Sequence, residues 1–220
     1  MTGTARPRFV TVALDVDSTL CGVEGIDWLA NRRGADVAAA VARETDMAMR
    51  GEVRLESVYA NRLAAVRPSA EDVKALSEVY IATLAPGTQE ALDDWRNAGV
   101  NVLLLSGGIR GAILPVARML GLPEGSVNAV EIQFDSSGQY LDFDHSSALA
   151  TAIGKRDVLA RLQPRHPMLA VGDGHTDIAM REVADAFAAF TGFAERPAVV
   201  RQADYAVKSF DELTSIVLGN

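Results

Sequence analysis

Cysteine occurs once in the 220 residues, as Cys21, so the chain cannot staple itself with an internal disulfide. Histidine occurs three times, too few with a single thiol to suggest a zinc site. Basic residues are also in short supply: 21 Lys and Arg face 29 Asp and Glu, a formal charge of −8, with no local basic patch. That balance repels nucleic-acid phosphates and anionic lipid, so neither nucleic acid nor membrane is an expected partner. No apolar run approaches the ~20 residues that span a bilayer, and no leader pattern precedes Phe9–Leu14. A reducing cytoplasm is the compartment these features favour, and they carry no signal of oligomeric state. Met1–Arg8 reads as a short disordered lead.

What the chain does have is a composition that is 49% apolar and 23% charged, enough to bury a sizeable core in one large domain or one domain with a smaller insertion. Three short apolar runs stop at polar punctuation: Phe9–Leu14 at Asp15, Val100–Leu105 at Ser106-Gly107-Gly108, and Met168–Val171 at Gly172-Asp173-Gly174. Each has the pattern of a buried strand. Helical patterns over Thr88–Ala98, Ile109–Leu120 and Lys155–Leu162 end before Gly99, Gly121 and Pro164. The alternation predicts a doubly wound α/β fold with a mostly parallel sheet, in which ligands sit beyond the carboxyl ends of the strands. All three punctuations then share one edge. Residues 22–84 break the alternation with helical patterns over Ile26–Arg32, Val37–Met49, Leu55–Val66 and Val73–Thr83. The expected division is therefore a core of residues 1–21 and 85–220 and a small all-helical cap of 22–84, with Pro86-Gly87 marking the return. Val127–Phe134 and Tyr140–Phe143, alternating around Ser136-Ser137-Gly138, read as a β-hairpin.

Asp15-Val16-Asp17 puts two carboxylates on one side of an extended chain. Like charges that close disfavour double ionisation, leaving one acid to hold a proton and the other free to attack or to bind metal. A lone D-x-D is as readily an acidic turn. A calcium loop is excluded because Leu20 and Ile26 stand where it needs Gly and Glu. Ser106-Gly107-Gly108 offers a hydroxyl and backbone N–H groups to phosphate oxygens, while no P-loop or complete dinucleotide fingerprint occurs. Asp173 and Asp177 bring the converging acids to four. A hard divalent cation, Mg²⁺ above all, would relieve their repulsion and recruit phosphate, to which Lys155 could add its charge. His145, His166 and His175 read as surface or loop positions, and Trp28 and Trp95 as packing residues.

The order DVDST, SGG, Lys155, GDGHTD resembles the four-motif pattern of the haloacid-dehalogenase-like phosphohydrolases over Asp15–Asp177. Asp15–Ala30, Ala48–Pro68 and Leu103–Gly108 are similar to the phosphoserine phosphatase family within it. The resemblance implies Mg²⁺-dependent hydrolysis of a small phosphomonoester, O-phosphoserine, through an aspartyl-phosphate. It implies Asp15 as nucleophile, Asp17 as acid and base, and metal held by the carboxylates of Asp15 and Asp173 and the carbonyl of Asp17. Asp177 would act behind these groups, on a metal-bound water or on Lys155. Ser106, Gly107, Gly108, Lys155 and Thr176 would surround the phosphoryl group. In the insertion, Glu24 would meet the α-ammonium, Arg62 the α-carboxylate, and Met49 would pack over the substrate. Arg50 and Leu55 depart from the family, where Gly and an aromatic stand, so another small phosphorylated acid or amino acid, or phosphotransfer, is the alternative. A receiver-type signalling protein, which also phosphorylates an aspartate, is the rival from another class.

Overall fold

Thr11–Leu14 (β1) consists of four fully buried residues, as expected of a strand covered on both faces. The computed structural model describes residues 6–49 and 55–220, without the side chains of 45–49 and 55–57. After β1 come four helices, Gly25–Arg32 (α1), Ala35–Met49 (α2), Leu55–Val66 (α3) and Ala70–Ala82 (α4). Then follow Thr88–Asn97 (α5), Asn101–Ile109 (β2), Arg110–Met119 (α6), Val127–Val130 (β3), Ile132–Phe134 (β4), Tyr140–Phe143 (β5), Gly154–Leu162 (α7) and Met168–Gly172 (β6). His175–Ile178 (α8), Ala186–Phe190 (β7), Pro197–Val200 (α9), Tyr205–Val207 (β8) and Phe210–Leu218 (α10) complete the chain.

Six parallel strands form the main sheet in the order β3-β2-β1-β6-β7-β8. From β1 the chain winds outward through β2 and β3, then returns to place β6 on the other side of β1. That reversal makes β1 and β6 the topological switch point, where a crevice opens beyond the carboxyl ends. Leu14 pairs with Leu104 and with Val171, and the Asp15 N–H bonds to the Val171 carbonyl at 3.0 Å. Asp15 and Asp173 therefore leave the sheet side by side. The fold is the doubly wound, mostly parallel α/β sheet with a helical insertion that the alternation predicts.

Three readings of local structure need correction. Val127–Val130 is not an arm of the hairpin: it pairs in parallel with β2, and only Ile132–Phe134 pairs with Tyr140–Phe143. Glu131 separates two strands with different partners, which an unbroken alternation conceals. The second strand does not stop before Ser106 but runs through Ser106-Gly107-Gly108 to Ile109, with irregular pairing to β3 over Leu105–Ile109. Arg8 belongs to the folded structure, with its guanidinium 5.6 Å from the Phe9 ring centre and 5.4 Å from that of Tyr205. Residues 1–5 of the expected lead lie outside the described residues.

The helices bury their apolar faces on the sheet and on one another. Trp95 of α5, fully buried, stacks on Phe210 of α10 at 6.2 Å and donates from Nε1 to Thr214 at 3.1 Å. Trp28 is half-buried, with the Arg32 guanidinium 5.0 Å over its ring. In the insertion, α1 packs against α2, α3 and α4, and α4 lies along α6 of the core. Helix α4 starts three residues earlier than its apolar pattern, because Ser69 and Asp72 form a capping box. The Arg33 guanidinium also pairs with Asp72.

Burial raises the Asp72 carboxyl, but the Arg33 bond and the bonds from Ser69 outweigh it and lower the group to about 2. A depressed carboxylate stabilises the fold above the unfolded value of about 4 and loses that contribution as pH falls through its folded value. Asp72→Asn should cost about 2 kcal/mol at neutral pH in urea denaturation. The gap between wild type and variant should close between about pH 4 and pH 2; a pH-independent gap would assign the loss to packing.

Candidate active site

The carboxyl ends of β1 and β6 carry the acids. One carboxylate oxygen from each of Asp15, Asp173 and Asp177 lies within 4.8 Å of the others, and all three residues are buried. At that spacing three anions repel strongly, and Lys155, a residue only 6% exposed, brings its ammonium to them. It bonds to Asp15 and, at 2.6 Å, to Asp177. Lys155 reaches this point because α7 begins at Gly154, where any Cβ would run into the Ala148 carbonyl. The other oxygen of Asp177 accepts from the Gly174 N–H at 2.8 Å. Both oxygens of Asp177 are thus engaged by the protein, while Thr19 donates to Asp173 at 3.3 Å.

Burial, reinforced by Asp177 and Asp17, pushes the Asp15 carboxyl well above its ordinary range, with Lys155 pulling the other way. Burial alone would lower Lys155, but the charges of Asp15 and Asp177 prevail and keep its ammonium above the usual lysine value. The buried Cys21 thiol is pushed up by loss of solvent and by Asp17 and Asp15, so it stays protonated and inert. A tight oxygen-only donor set with excess negative charge fits a hard divalent cation, the kind of ion this architecture accommodates.

Asp17 sits across the crevice. Its Oδ1 accepts from the Gly25 N–H at 2.7 Å and from the Tyr80 hydroxyl at 2.6 Å, and its Oδ2 accepts from Ser106 at 3.0 Å. Ser18, next to it, adopts a left-handed backbone (φ 54°) that costs of order 1 kcal/mol and turns the chain toward α1. Its hydroxyl donates to Glu24 at 2.7 Å. The Gly108 N–H, expected to lie open, bonds instead to Ser106 Oγ at 2.8 Å. Glycine at 108 keeps this space open, since a Cβ would come within 2.9 Å of both Asp17 Oδ2 and Ser106 Oγ and one of them would have to shift. Gly107 lies between them, half-buried, and Thr176 is half-buried in the first turn of α8.

In the insertion, Glu24 precedes α1 with its side chain 44% exposed, and partial loss of solvent together with Asp17 raises its carboxyl. Arg62 pairs with Asp27 at 2.5 Å, and its buried Nε has no partner among the described residues. Met49 closes α2, but its side chain, like that of Leu55 and like Arg50 as a whole, lies outside the described residues. Four residues at the site escaped the motif reading. They are Asp27, Tyr80, Tyr59, whose buried hydroxyl has no partner among the described residues, and Arg196, which pairs with Asp173 and lies 3.6 Å from Glu24. Burial and the charge of Asp17 hold the Tyr80 phenol well above its usual range, so it acts as a donor. No spacing rule links Tyr80 or Arg196 to the acids; only the fold brings them together. The histidines stand apart: His145 and His166 are exposed beside Asp142 and Asp185, and exposed His175 opens α8.

The sequence model of the haloacid dehalogenase-like hydrolases matches residues 9–185. The chain belongs to that family. It is 36% identical over 205 residues to phosphoserine phosphatase of Bos taurus, covering 92% of this chain and 90% of that one. Among solved structures it is similar to a phosphoserine phosphohydrolase-like protein of Francisella tularensis (TM-score 0.83, 26% identity, 94% and 99% covered). It is also similar to a phospho-aspartyl intermediate analogue of phosphoserine phosphatase (TM-score 0.76, 27% identity, 94% and 98% covered). The chain is accordingly a phosphomonoester hydrolase of the phosphoserine phosphatase type, which sets aside the receiver alternative. No helix among the described residues is long and apolar enough to cross a membrane.

Removing the central cation should expose the repulsion it screens. Lys155→Met should destabilise the metal-free protein by about 3–5 kcal/mol in urea denaturation, since it leaves buried acids unpaired. Excess divalent cation should recover more stability in the variant than in wild type. Equal recovery in both would place the ion away from these acids.

Proposed function

We propose that the protein hydrolyses O-phosphoserine to serine and phosphate with Mg²⁺, through an aspartyl-phosphate on Asp15. One observation carries the reading: Asp15, Asp173 and Asp177 gather their oxygens within 4.8 Å of one another at the sheet's switch point, with Lys155 shared by Asp15 and Asp177. Asp15 and Asp173 carboxylates with the Asp17 carbonyl would hold the ion. When bound, it supplies Lewis-acid neutralisation of charge on the phosphoryl oxygens.

The side chains divide the remaining work. An Asp15 oxygen bonds to phosphorus as the seryl oxygen–phosphorus bond breaks, and Asp17 hands its proton to the departing seryl oxygen. Asp17 then takes a proton from water as the water oxygen bonds to phosphorus and the bond to Asp15 breaks. Lys155, Ser106 and the N–H groups of Gly107 and Gly108 receive the transferring oxygens, with Ser106 trading its bond to Asp17, and the Gly108 N–H its bond to Ser106 Oγ, for bonds to phosphate. Asp177 keeps Lys155 in place, and Thr176 lines the same pocket. The similarity to a structure solved as a phospho-aspartyl analogue supports this division.

Residues 1–21 and 85–220 act as the catalytic core and 22–84 as the cap that selects substrate. Glu24 would meet the ammonium group. The unpartnered Nε of Arg62 supports a role in clasping the carboxylate, and Met49 would cover the ligand. A cytoplasmic location fits this chemistry and the lone reduced cysteine.

Phosphate release from O-phosphoserine with Mg²⁺ tests the reading. Asp15→Asn and chelation by EDTA should each reduce release to background, and retained turnover in Asp15→Asn would overturn it. Arg62→Lys should lower kcat/KM about 10- to 100-fold, chiefly through KM, because one forked charged contact is lost. A panel of other phosphorylated acids and amino acids decides the substrate: faster turnover of one of them would reassign specificity and leave the reaction standing.

A further inference from the structure

Tyr80 is a fully buried tyrosine of the insertion, 63 positions from the residue it touches. Its hydroxyl donates to Asp17 Oδ1 at 2.6 Å, and the Gly25 N–H donates to the same oxygen at 2.7 Å. The junction is tight enough to dictate residue 25, where a Cβ would collide with the Tyr80 hydroxyl and come within 3.2 Å of Asp17 Oδ1. Oδ2 has a different outlook. It faces Ser106 at 3.0 Å and the backbone of Gly108, which are the groups proposed to receive phosphate.

We propose that Tyr80 is a positioning residue for proton transfer: with the Gly25 N–H it saturates Asp17 Oδ1 and so makes Oδ2 the oxygen that exchanges protons with substrate and water. This rests on the assignment of Asp17 as acid and base. In the first step the Oδ2–H bond breaks as the seryl oxygen gains the proton and loses its bond to phosphorus. In the second, Oδ2 gains the proton that water loses as its oxygen bonds to phosphorus. Without the tyrosine donor, Oδ1 competes for the proton and the carboxyl group can rotate away from the cradle. Both donors to Oδ1 come from the helical insertion, Gly25 opening α1 and Tyr80 lying near the end of α4, whereas Asp17 follows β1. The alignment of the acid therefore depends on the insertion being seated on the sheet, which ties the substrate-selecting part of the chain to the chemical step.

Leaving-group dependence distinguishes this role from a structural one. An alkyl phosphomonoester needs a proton on its departing oxygen, whereas acetyl phosphate expels a stable carboxylate without one. Single-turnover formation of phosphoenzyme is measured with each substrate for wild type, Tyr80→Phe, Asp17→Asn and the double variant. Tyr80→Phe should slow phosphoenzyme formation from O-phosphoserine about 10- to 100-fold, with KM within about twofold of wild type. Formation from acetyl phosphate should stay within about twofold. Adding Tyr80→Phe to Asp17→Asn should cost little more than Asp17→Asn alone. Equal slowing on both substrates, no slowing on either, or full additivity in the double variant would overturn the proposal. If Asp17→Asn itself shows no preference for the activated substrate, the acid and base assignment fails first, a result separable from failure of the tyrosine alone. Phenylalanine preserves the ring in this packed position, and the double variant provides a second reading should Tyr80→Phe alone be weakly folded.

Discussion

Buried carboxylates that repel one another must be held together by a cation, and in this protein that constraint organises the site. At about 5 Å and an effective dielectric constant of about 20, each pair of like charges costs about 3 kcal/mol. Lys155 lies between Asp15 and Asp177 and offsets part of that cost. The three acids of the cluster outnumber the two cations that pair with them, Lys155 and Arg196, and that imbalance favours a further cation. Arg196 pairs with Asp173 at the edge of the same group. The metal affinity, phosphate affinity and reactive aspartate proposed for this site would all come from one electrostatic conflict left incompletely resolved by the protein.

The sheet makes that conflict possible. Because β6 returns to the opposite flank of β1, residues 158 positions apart, Asp15 and Asp173, emerge next to each other. The backbone bond from Asp15 to Val171 extends the pairing to Asp15 itself, so the proposed nucleophile is held by the sheet. Asp17 is two residues further, past the last strand pairing with β2, and takes its bonds from Gly25, Tyr80 and Ser106. With the proposed roles, a nucleophile anchored in the sheet and an acid anchored partly in the insertion would suit a reaction in which one stays fixed and the other responds to the substrate.

The strands that end in acids or glycines were legible because a short apolar run that stops abruptly at such residues suits a buried strand meeting a polar edge and little else. Ala186–Phe190 is just as buried, but nothing polar of consequence follows it, and its three alanines lack a β-branched signature. Tyr205–Val207 is only three residues long, and Phe210–Leu218 follows it too closely for periodicity to separate them. The error at Val127–Val130 has the same origin: alternation reports that a segment is extended, whereas its partner, here β2, is chosen by the rest of the fold.

Within the site, the chemistry-bearing residues declared themselves through types and spacing that few other structures require: Asp15 and Asp17, Ser106 with its glycines, Lys155, Asp173 and Asp177. Those types determined a phosphate-directed acid cluster on an α/β sheet. Tyr80, Tyr59, Asp27 and Arg196 carry no such mark, since a tyrosine or arginine on a helix or loop has many ordinary uses. Their importance arises only when α1, α3 and α4 fold over the sheet and bring a hydroxyl to 2.6 Å from Asp17, and when the segment between β7 and α9 sets a guanidinium against Asp173. Local chemistry is written in short stretches of chain because covalent spacing sets it. Which oxygen of Asp17 faces the cradle was decided by contacts between distant segments, and those exist only after packing.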